Sequence, residues 1–313
     1  MPSDWDYILF VLAYIFLALI ALRLLLVLFN LLYPFLIGCP INLRKRAGSG
    51  NWAVVTGATD GIGKAYAIQL GKKGFNVLLI SRAQSRLDLA REEVLTEAHD
   101  IRVETFAFDF NNSLAEQYGP LIKKLKEYEV GVLVNNVGMF MDYPDLIHAQ
   151  PGGIQKLTDL TVINTLPVVI LSTTVLEQMY HRKAGIIINV SSSAALVPMK
   201  KFNIYSATKR FTNHLSACLR AEYRSKNIII QTICPGVVAT KMARLSKGSF
   251  LAPTPETFVK SALRTVGLAN ETTGYFAHQV QAEGFKFIPQ FMMDLIVDYQ
   301  ANKMKRKFSG MKF

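Results

Sequence analysis

The chain has 313 residues, of which 50% are hydrophobic and 19% charged. That balance excludes a disordered or fibrous protein and leaves room for one large α/β domain beside a membrane segment. The formal charge of +12 calls for an anionic partner, and its dispersal along the chain without a recognition motif argues against nucleic acid.

Residues 7–38 are almost wholly apolar, interrupted by Arg23 and Asn30. A run this long reads as a transmembrane segment. The acidic Asp4 and Asp6 ahead of it, its length and the lack of a small-x-small cleavage site argue against a signal peptide. Arg44-Lys45-Arg46 follow directly, and basic flanks lie on the cytoplasmic side, so the rest of the chain is expected to face the cytoplasm. Arg23 allows either one tilted helix with a snorkelling cation or two short helices in a hairpin. Residues 40–50, with Gly48-Ser49-Gly50, read as a linker. The expected domains are then 1–50 as anchor and linker, 51–280 as the folded domain, and 281–313 as an apolar segment with a basic tail.

Apolar runs at 52–56, 76–81, 102–108, 132–135, 185–191 and 228–233 read as strands, and helical patterns fill 61–73, 84–98, 113–128, 153–182 and 204–225. Strands apolar on both faces, alternating with helices, predict a doubly wound parallel sheet, the Rossmann-like α/β fold. The first strand runs into Thr56-Gly57-Ala58-Thr59-Asp60-Gly61-Ile62-Gly63. Strand, glycine-rich turn and helix place a phosphate on a helix N-terminus. Gly57 permits the turn, while Gly61 and Gly63 let the backbone approach a pyrophosphate. The spacing is Gly-x-x-x-Gly-x-Gly rather than the usual Gly-x-Gly-x-x-Gly. The second strand ends Leu79-Ile80-Ser81-Arg82, where an NAD binder would carry an acid. Arg82 suits a 2′-phosphate, so NADP(H) is the expected cofactor; Lys64 is a second candidate cation.

Ser192 closes the strand around 185–191. Tyr205 and Lys209 stand four residues apart at the head of a helical pattern, about one turn, and so on one face. A neighbouring ammonium favours the phenolate and is expected to lower the Tyr205 pKa from its usual value of about 10, making it a proton donor and acceptor. Cys39, Cys218 and Cys234 form no Cys-x-x-Cys and no Cys/His cluster at metal spacing, so no metal is expected. Reduced, mostly buried thiols suit a cytosol-facing domain. Beyond Thr240 the alternation stops. Residues 241–253 are loop-like, and Thr254-Pro255 opens a helix as N-cap and first residue. Residues 285–297 are apolar but too short to span; they read as an interfacial or substrate-access segment, with core packing the alternative. The tail carries Lys303, Lys305, Arg306, Lys307 and Lys312, suited to anionic lipid or to solvent.

Together these residues resemble the short-chain dehydrogenase/reductase family from about residue 51 to about residue 275. Asn135-Asn136-Val137-Gly138 is close to the family's Asn-Asn-Ala-Gly, and Pro235-Gly236-Val237-Val238-Ala239-Thr240 follows a late strand. Residues 51–64, Leu79-Ile80-Ser81-Arg82 and Ala221-Glu222-Tyr223-Arg224-Ser225-Lys226 look like the membrane-anchored branch of 17-beta-hydroxysteroid dehydrogenases and very-long-chain 3-ketoacyl-CoA reductases. The resemblance implies an NADPH-dependent carbonyl reductase with Tyr205 as proton donor, Ser192 on the substrate oxygen, Lys209 on the nicotinamide ribose and Asn164 holding a relay water. Ser191 and Ser193 compete with Ser192, which the family's interval to the Tyr selects. Cofactor contacts are implied for Gly57, Thr59, Asp60, Gly61, Ile62, Gly63 and Arg82. Asp109 is implied at the adenine, Asn136 and Gly138 on the adenosine side, Thr240 at the nicotinamide carboxamide and Lys209 at its ribose, with Pro235, Val238 and Tyr205 as further cofactor contacts. The implied substrate is a lipid, a 3-ketoacyl-CoA or a 17-ketosteroid, at the endoplasmic reticulum membrane. A homodimer is left open. The alternative is a catalytically silent membrane protein that keeps the fold for interaction; the presence of all four catalytic residues weighs against it.

Overall fold

The computed structural model describes residues 4–309, without the side chains of 307–309, so Lys312 and the Lys307 side chain lie outside the described residues. Six strands fall where the apolar runs predict them: β1 (Trp52–Thr56), β2 (Asn76–Ser81), β3 (Val103–Ala107), β4 (Val130–Asn135), β5 (Gly185–Val190) and β6 (Ile228–Ile233). A short β7 (Glu271–Thr272) joins them, too brief to carry a pattern of its own. The sheet order is β3-β2-β1-β4-β5-β6-β7, every pair parallel. The order reverses between β1 and β4, the switch point where doubly wound sheets bind ligands beyond their strands' carboxyl ends.

Helices cover both faces. They are α1 (Asp4–Leu32), α2 (Leu43–Ala47), α3 (Gly61–Gly71), α4 (Gln84–Glu97), α5 (Gly119–Lys126), α6 (Gly153–Arg182), α7 (Asn203–Glu222), α8 (Pro255–Arg264), α9 (Phe276–Phe285) and α10 (Gln290–Ser309). Successive strand residues point to opposite faces. Ala53, Val55, Val77 and Leu79 therefore pack with Tyr66 and Leu70 of α3 and Phe258 of α8. Trp52, Val54, Leu78 and Ile80 pack on the other side with Leu121 of α5 and Leu171 and Val175 of α6. The predicted 113–128 helix is split into a 3-10 turn (Ala115–Tyr118) and α5, because Pro120 in the first turn of α5 fits a helix start and not a helix interior.

At the N-terminus, α1 continues through a π-turn (Tyr33–Ile37) that contains Pro34. The most apolar 18-residue stretch of the rod Asp4–Ile37 has mean hydropathy 2.8 and buries nothing against the domain. One continuous helix therefore replaces the hairpin alternative. Its length of about 50 Å exceeds the roughly 30 Å hydrocarbon core of a bilayer, and the chain is membrane-associated through it. The equally long α6 is half buried and belongs to the core.

The residues between anchor and sheet are not a free tether. Leu43 and Ala47 of α2 are buried in the core, Asn42 caps α2 by accepting from the Lys45 amide at 3.0 Å, and the Arg44 guanidinium lies 4.6 Å from the Phe75 ring centroid. Deleting 1–38 is accordingly expected to release a stable domain from the integral membrane fraction. Extending the deletion to residue 47 removes Leu43 from the core and should cost about 2 kcal/mol or more, seen as a lower melting temperature.

The C-terminal segment is likewise neither purely interfacial nor purely core. Met293, Val297 and Ala301 on α10 are buried, and the first two pack with Met141, Leu160 and Phe202. The outer positions Phe291, Leu295 and Tyr299 stay exposed.

Candidate active site

The glycine turn sits at the carboxyl end of β1. Gly57 has φ +64° and Gly61 φ +53°, conformations that side chains with a Cβ rarely adopt. A Cβ on Gly63 would lie 2.3 Å from the Gly57 oxygen and 2.5 Å from Asn136 Nδ2, so only glycine allows α3 this close to the turn. Asp60 caps α3, accepting from the Gly61 amide at 2.8 Å. Burial alone would raise the Asp60 carboxyl; Lys241, 3.0 Å away, and the Gly61 amide outweigh it and hold the pKa below its ordinary value. Thr59 Oγ1 meets Ser81 Oγ at 3.3 Å, fastening the turn to the end of β2. Ile62 is half-buried and packs on the core. Arg82 follows β2 and is exposed at that edge. Lys64, the second candidate cation, is instead paired with Glu93 of α4 at 2.5 Å.

From β4, the Asn136 side chain donates to the Thr56 oxygen at 2.9 Å and the Gly57 oxygen at 3.3 Å, tying that strand end to the turn. Gly138 has no room for a Cβ beyond 3.0 Å of Asn164 Oδ1 and 3.2 Å of Lys209 Nζ. From β6, the Pro235 oxygen accepts from Ser193 at 2.8 Å, Val238 is buried, and Thr240 comes within 3.1 Å of where a Gly61 Cβ would stand. Asp109 lies past β3, exposed, its carboxylate accepting from the Asn111 amide at 3.0 Å. Two positive-φ glycines, an exposed Arg82 and a cradle that a single Cβ would fill together fit a phosphorylated dinucleotide laid along the carboxyl ends of the strands.

Asn164, Ser192, Tyr205 and Lys209 converge beside that cradle. Asn164 of α6 is buried and pinned to the loop after β4, accepting from the Met139 amide at 2.8 Å and donating to the Met139 oxygen at 3.1 Å. Ser206 Oγ donates to the Ala194 oxygen at 2.7 Å, drawing α7 against the turn that Ser192 opens. The three serines separate cleanly. Ser191 Oγ donates to the Lys209 oxygen at 2.9 Å, Ser193 enters the 3-10 turn, and Ser192 shares a side-chain hydrogen bond with Tyr205. The Tyr205 ring stands edge-on to Phe140, centroids 4.8 Å apart.

The expected lowering of the Tyr205 pKa by Lys209 is not what this geometry gives. Burial raises the phenol, and the Ser192 hydrogen bond offsets only part of that rise. Lys209 is buried, with Nζ 6.0 Å from the Tyr205 ring centroid, and donates to the Val190 oxygen at 3.1 Å. Burial brings its ammonium down to about 8, against a smaller opposing pull from Cys234. A cavity of about 10 Å³ lies between Asn135, Asn164, Val190, Lys209 and Thr212, roughly the room one water needs. The four side chains can thus hold an oxygen, give it a proton and draw a replacement through a polar pocket.

His278 escaped the sequence reading. It is buried on α9 and accepts the Gly236 amide on Nδ1 at 3.2 Å, while Nε2 lies 3.1 Å from the Val237 oxygen and 3.2 Å from the Leu251 oxygen. Burial lowers its pKa, and the neutral ring clamps the loop 235–240. Arg86 of α4, 3.5 Å from Asp60, joins Lys241 as a second cation on that carboxylate. Neither residue sits in a local motif, so no spacing signal could have found them.

This fold and this constellation define an oxidoreductase that interconverts a carbonyl and an alcohol, and the chain belongs to the short chain dehydrogenase family, which it matches over residues 51–248. It is 50% identical to a very-long-chain 3-oxoacyl-CoA reductase of Caenorhabditis elegans, over 91% of this chain and 90% of that protein. It is 39% identical to the very-long-chain 3-oxoacyl-CoA reductase of Bos taurus, over 83% and 82% of the two chains. Its fold is also that of a short-chain dehydrogenase from Sphingobium yanoikuyae solved with NADPH, with TM-score 0.63 and 23% identity over 76% of this chain and 96% of that one.

Proposed function

We propose that the chain is an NADPH-dependent reductase of very-long-chain 3-oxoacyl-CoA, held at the endoplasmic reticulum membrane with its catalytic domain in the cytoplasm. The carrying observation is that Tyr205 belongs to two environments at once. One side meets Ser192 and the polar cluster; the other belongs to an apolar wall of Met139, Phe140, Met141, Met199, Phe202 and Ile204. Methionine and aromatic side chains suit a long, flexible alkyl chain better than a sugar or an acid. The relatives named as acyl-CoA reductases support the same substrate, and the basic flank Arg44-Lys45-Arg46 beyond α1 favours the cytoplasmic side.

NADPH, when bound, supplies the hydride. Gly57, Thr59, Asp60, Gly61, Ile62 and Gly63 would hold its pyrophosphate, Arg82 its 2′-phosphate, and Asp109, Asn136 and Gly138 its adenosine half. Pro235, Val238 and Thr240 would flank the nicotinamide. Ser192 and Tyr205 hold the substrate oxygen and meet its developing charge. Tyr205, kept protonated by burial, gives its proton to that oxygen. Lys209 stays charged below a pH of about 8 and would hold the nicotinamide ribose beside Tyr205. Asn164 fixes the wall of the small cavity through which the proton is replaced.

The test is one assay on purified membranes. Parent and Arg82→Asp are compared for oxidation of NADPH and NADH, with a very-long-chain 3-oxoacyl-CoA or a 17-ketosteroid as acceptor. The parent should favour NADPH and the acyl-CoA. Arg82→Asp removes a charge-assisted contact and adds repulsion, so KM for NADPH should rise about a hundredfold with little change for NADH. A parent that prefers NADH, or turns over only the steroid, rejects the proposal.

A further inference from the structure

Helix α10 has two apolar faces, and its sides are fastened down. Its inner row, Met293 and Val297, lies in the same cluster as Phe140, Phe202 and Tyr205. Asp298 pairs with Lys200 at 2.6 Å and Lys201 at 2.9 Å, Lys305 pairs with Asp145 at 2.6 Å, and Gln290 donates to the Pro198 oxygen at 3.2 Å. These contacts hold the helix across the apolar wall of the active site. A helix serving only as a cover would present polar groups outward. Instead Phe291, Leu295 and Tyr299, one turn apart, are 66%, 65% and 69% exposed, with Met292 and Ile296 beside them and Phe287 just before the helix. Scattered apolar residues on a surface are ordinary, but a continuous row of this size is not.

Two features identify what covers that row. The foot of the membrane helix rests on α9, where Phe35 meets Phe276 edge-on with centroids 6.1 Å apart, and α9 leads through residues 286–289 into α10. The outer row thus follows one short helix after a residue that meets the foot of the membrane helix. The far end of α10 carries exposed Lys303 and Arg306, the charge that anionic headgroups attract. A helix with a broad apolar face and a basic end lies in the membrane interface.

We infer that α10 is a lipid-seated cover. Its outer face rests in the headgroup region of the bilayer and its inner face closes the apolar wall, so that an alkyl substrate reaches Tyr205 from the membrane side. The delivery half of this inference rests on the acyl-chain reading above; the lipid contact does not. The test uses the full chain with Cys39→Ser and Cys218→Ser, the two exposed thiols, reconstituted in vesicles of phosphatidylcholine and phosphatidylserine. A nitroxide is placed at Leu295→Cys or, for comparison, at Glu92→Cys on α4. At position 295 the label should be more accessible to oxygen than to a polar nickel complex, with the order reversed at position 92. Equal preference for the nickel complex at both positions overturns the inference. Spin–spin broadening at 295 that vanishes on dilution with unlabelled chain assigns the face to a second copy and also overturns it. Because the label reports lipid contact whatever the substrate, failure of the acyl-CoA assignment leaves this result readable. Should both hold, Phe291→Glu with Leu295→Glu should lower kcat/KM for the vesicle-borne substrate about tenfold and leave the NADPH Kd unchanged. An unaltered kcat/KM removes the delivery role.

Discussion

Tyr205→Phe is expected to slow turnover by at least about a hundredfold, the usual reach of a positioned general acid, while the NADPH Kd stays within about twofold of the parent. The substitution removes one oxygen and keeps the ring, so the edge contact with Phe140 and the packing around it survive. Ser192 loses one partner but still accepts from the Ala194 amide at 3.1 Å, which limits the stability cost to about 1 kcal/mol. A purely structural tyrosine would show that same small loss and keep its rate. Rate and Kd measured together separate the two, and a variant within about threefold of the parent rate would end the mechanism proposed for Tyr205.

Lys209→Met is expected to do two opposite things: abolish most turnover and raise the melting temperature. Lys209 is 5% exposed with a pKa brought down from 10.5 to about 8 by burial. Between those two values the unfolded chain binds a proton that the folded chain does not, so stability falls as pH falls through that window and stays low beneath it. At neutral pH the buried ammonium therefore costs on the order of 3 kcal/mol. Methionine has a similar shape and no charge. It forfeits the hydrogen bond to the Val190 oxygen, about 1 kcal/mol, and leaves a net gain of roughly 2 kcal/mol, or a few degrees in Tm. The gap between variant and parent should close as pH rises from about 8 to 10.5, where the parent sheds its charge. A melting temperature below that of the parent at neutral pH would mean that Lys209 is a structural cation. Cofactor affinity should also weaken, which separates this variant from Tyr205→Phe. A residue whose charge is kept at the expense of stability beside a catalytic group is the pattern of functional sites.

The contrast between these two residues shows where reading the chain alone stops. Four-residue spacing on a helix does bring Tyr205 and Lys209 to one face. It says nothing of how deeply each is buried, and burial proved to be the larger influence on both pKa values. The same holds for Lys64, whose position beside the glycines fits a phosphate until Glu93, on the neighbouring helix, is seen to hold it.

What the amino-acid order determined by itself was whatever repeats over a few residues. The strands are apolar on both faces because both are covered; the glycines mark where a Cβ has no room; Thr254 caps α8 by accepting from the Thr257 amide at 3.3 Å. Those signals are local because backbone geometry is local, and they carried the strands, the helices and the shared face of Tyr205 and Lys209; Asn164 and Ser192 were placed by the family resemblance. The tertiary structure alone decided that α2 belongs to the core, that His278 grips a loop 42 residues away, and that α10 turns one apolar face to the active site and the other outward. Each of these depends on surfaces brought together from distant parts of the chain, and an apolar residue has no sequence mark distinguishing burial in protein from burial in lipid: the hydrophobic effect is non-directional, so only the packed fold determines which partner removes it from water.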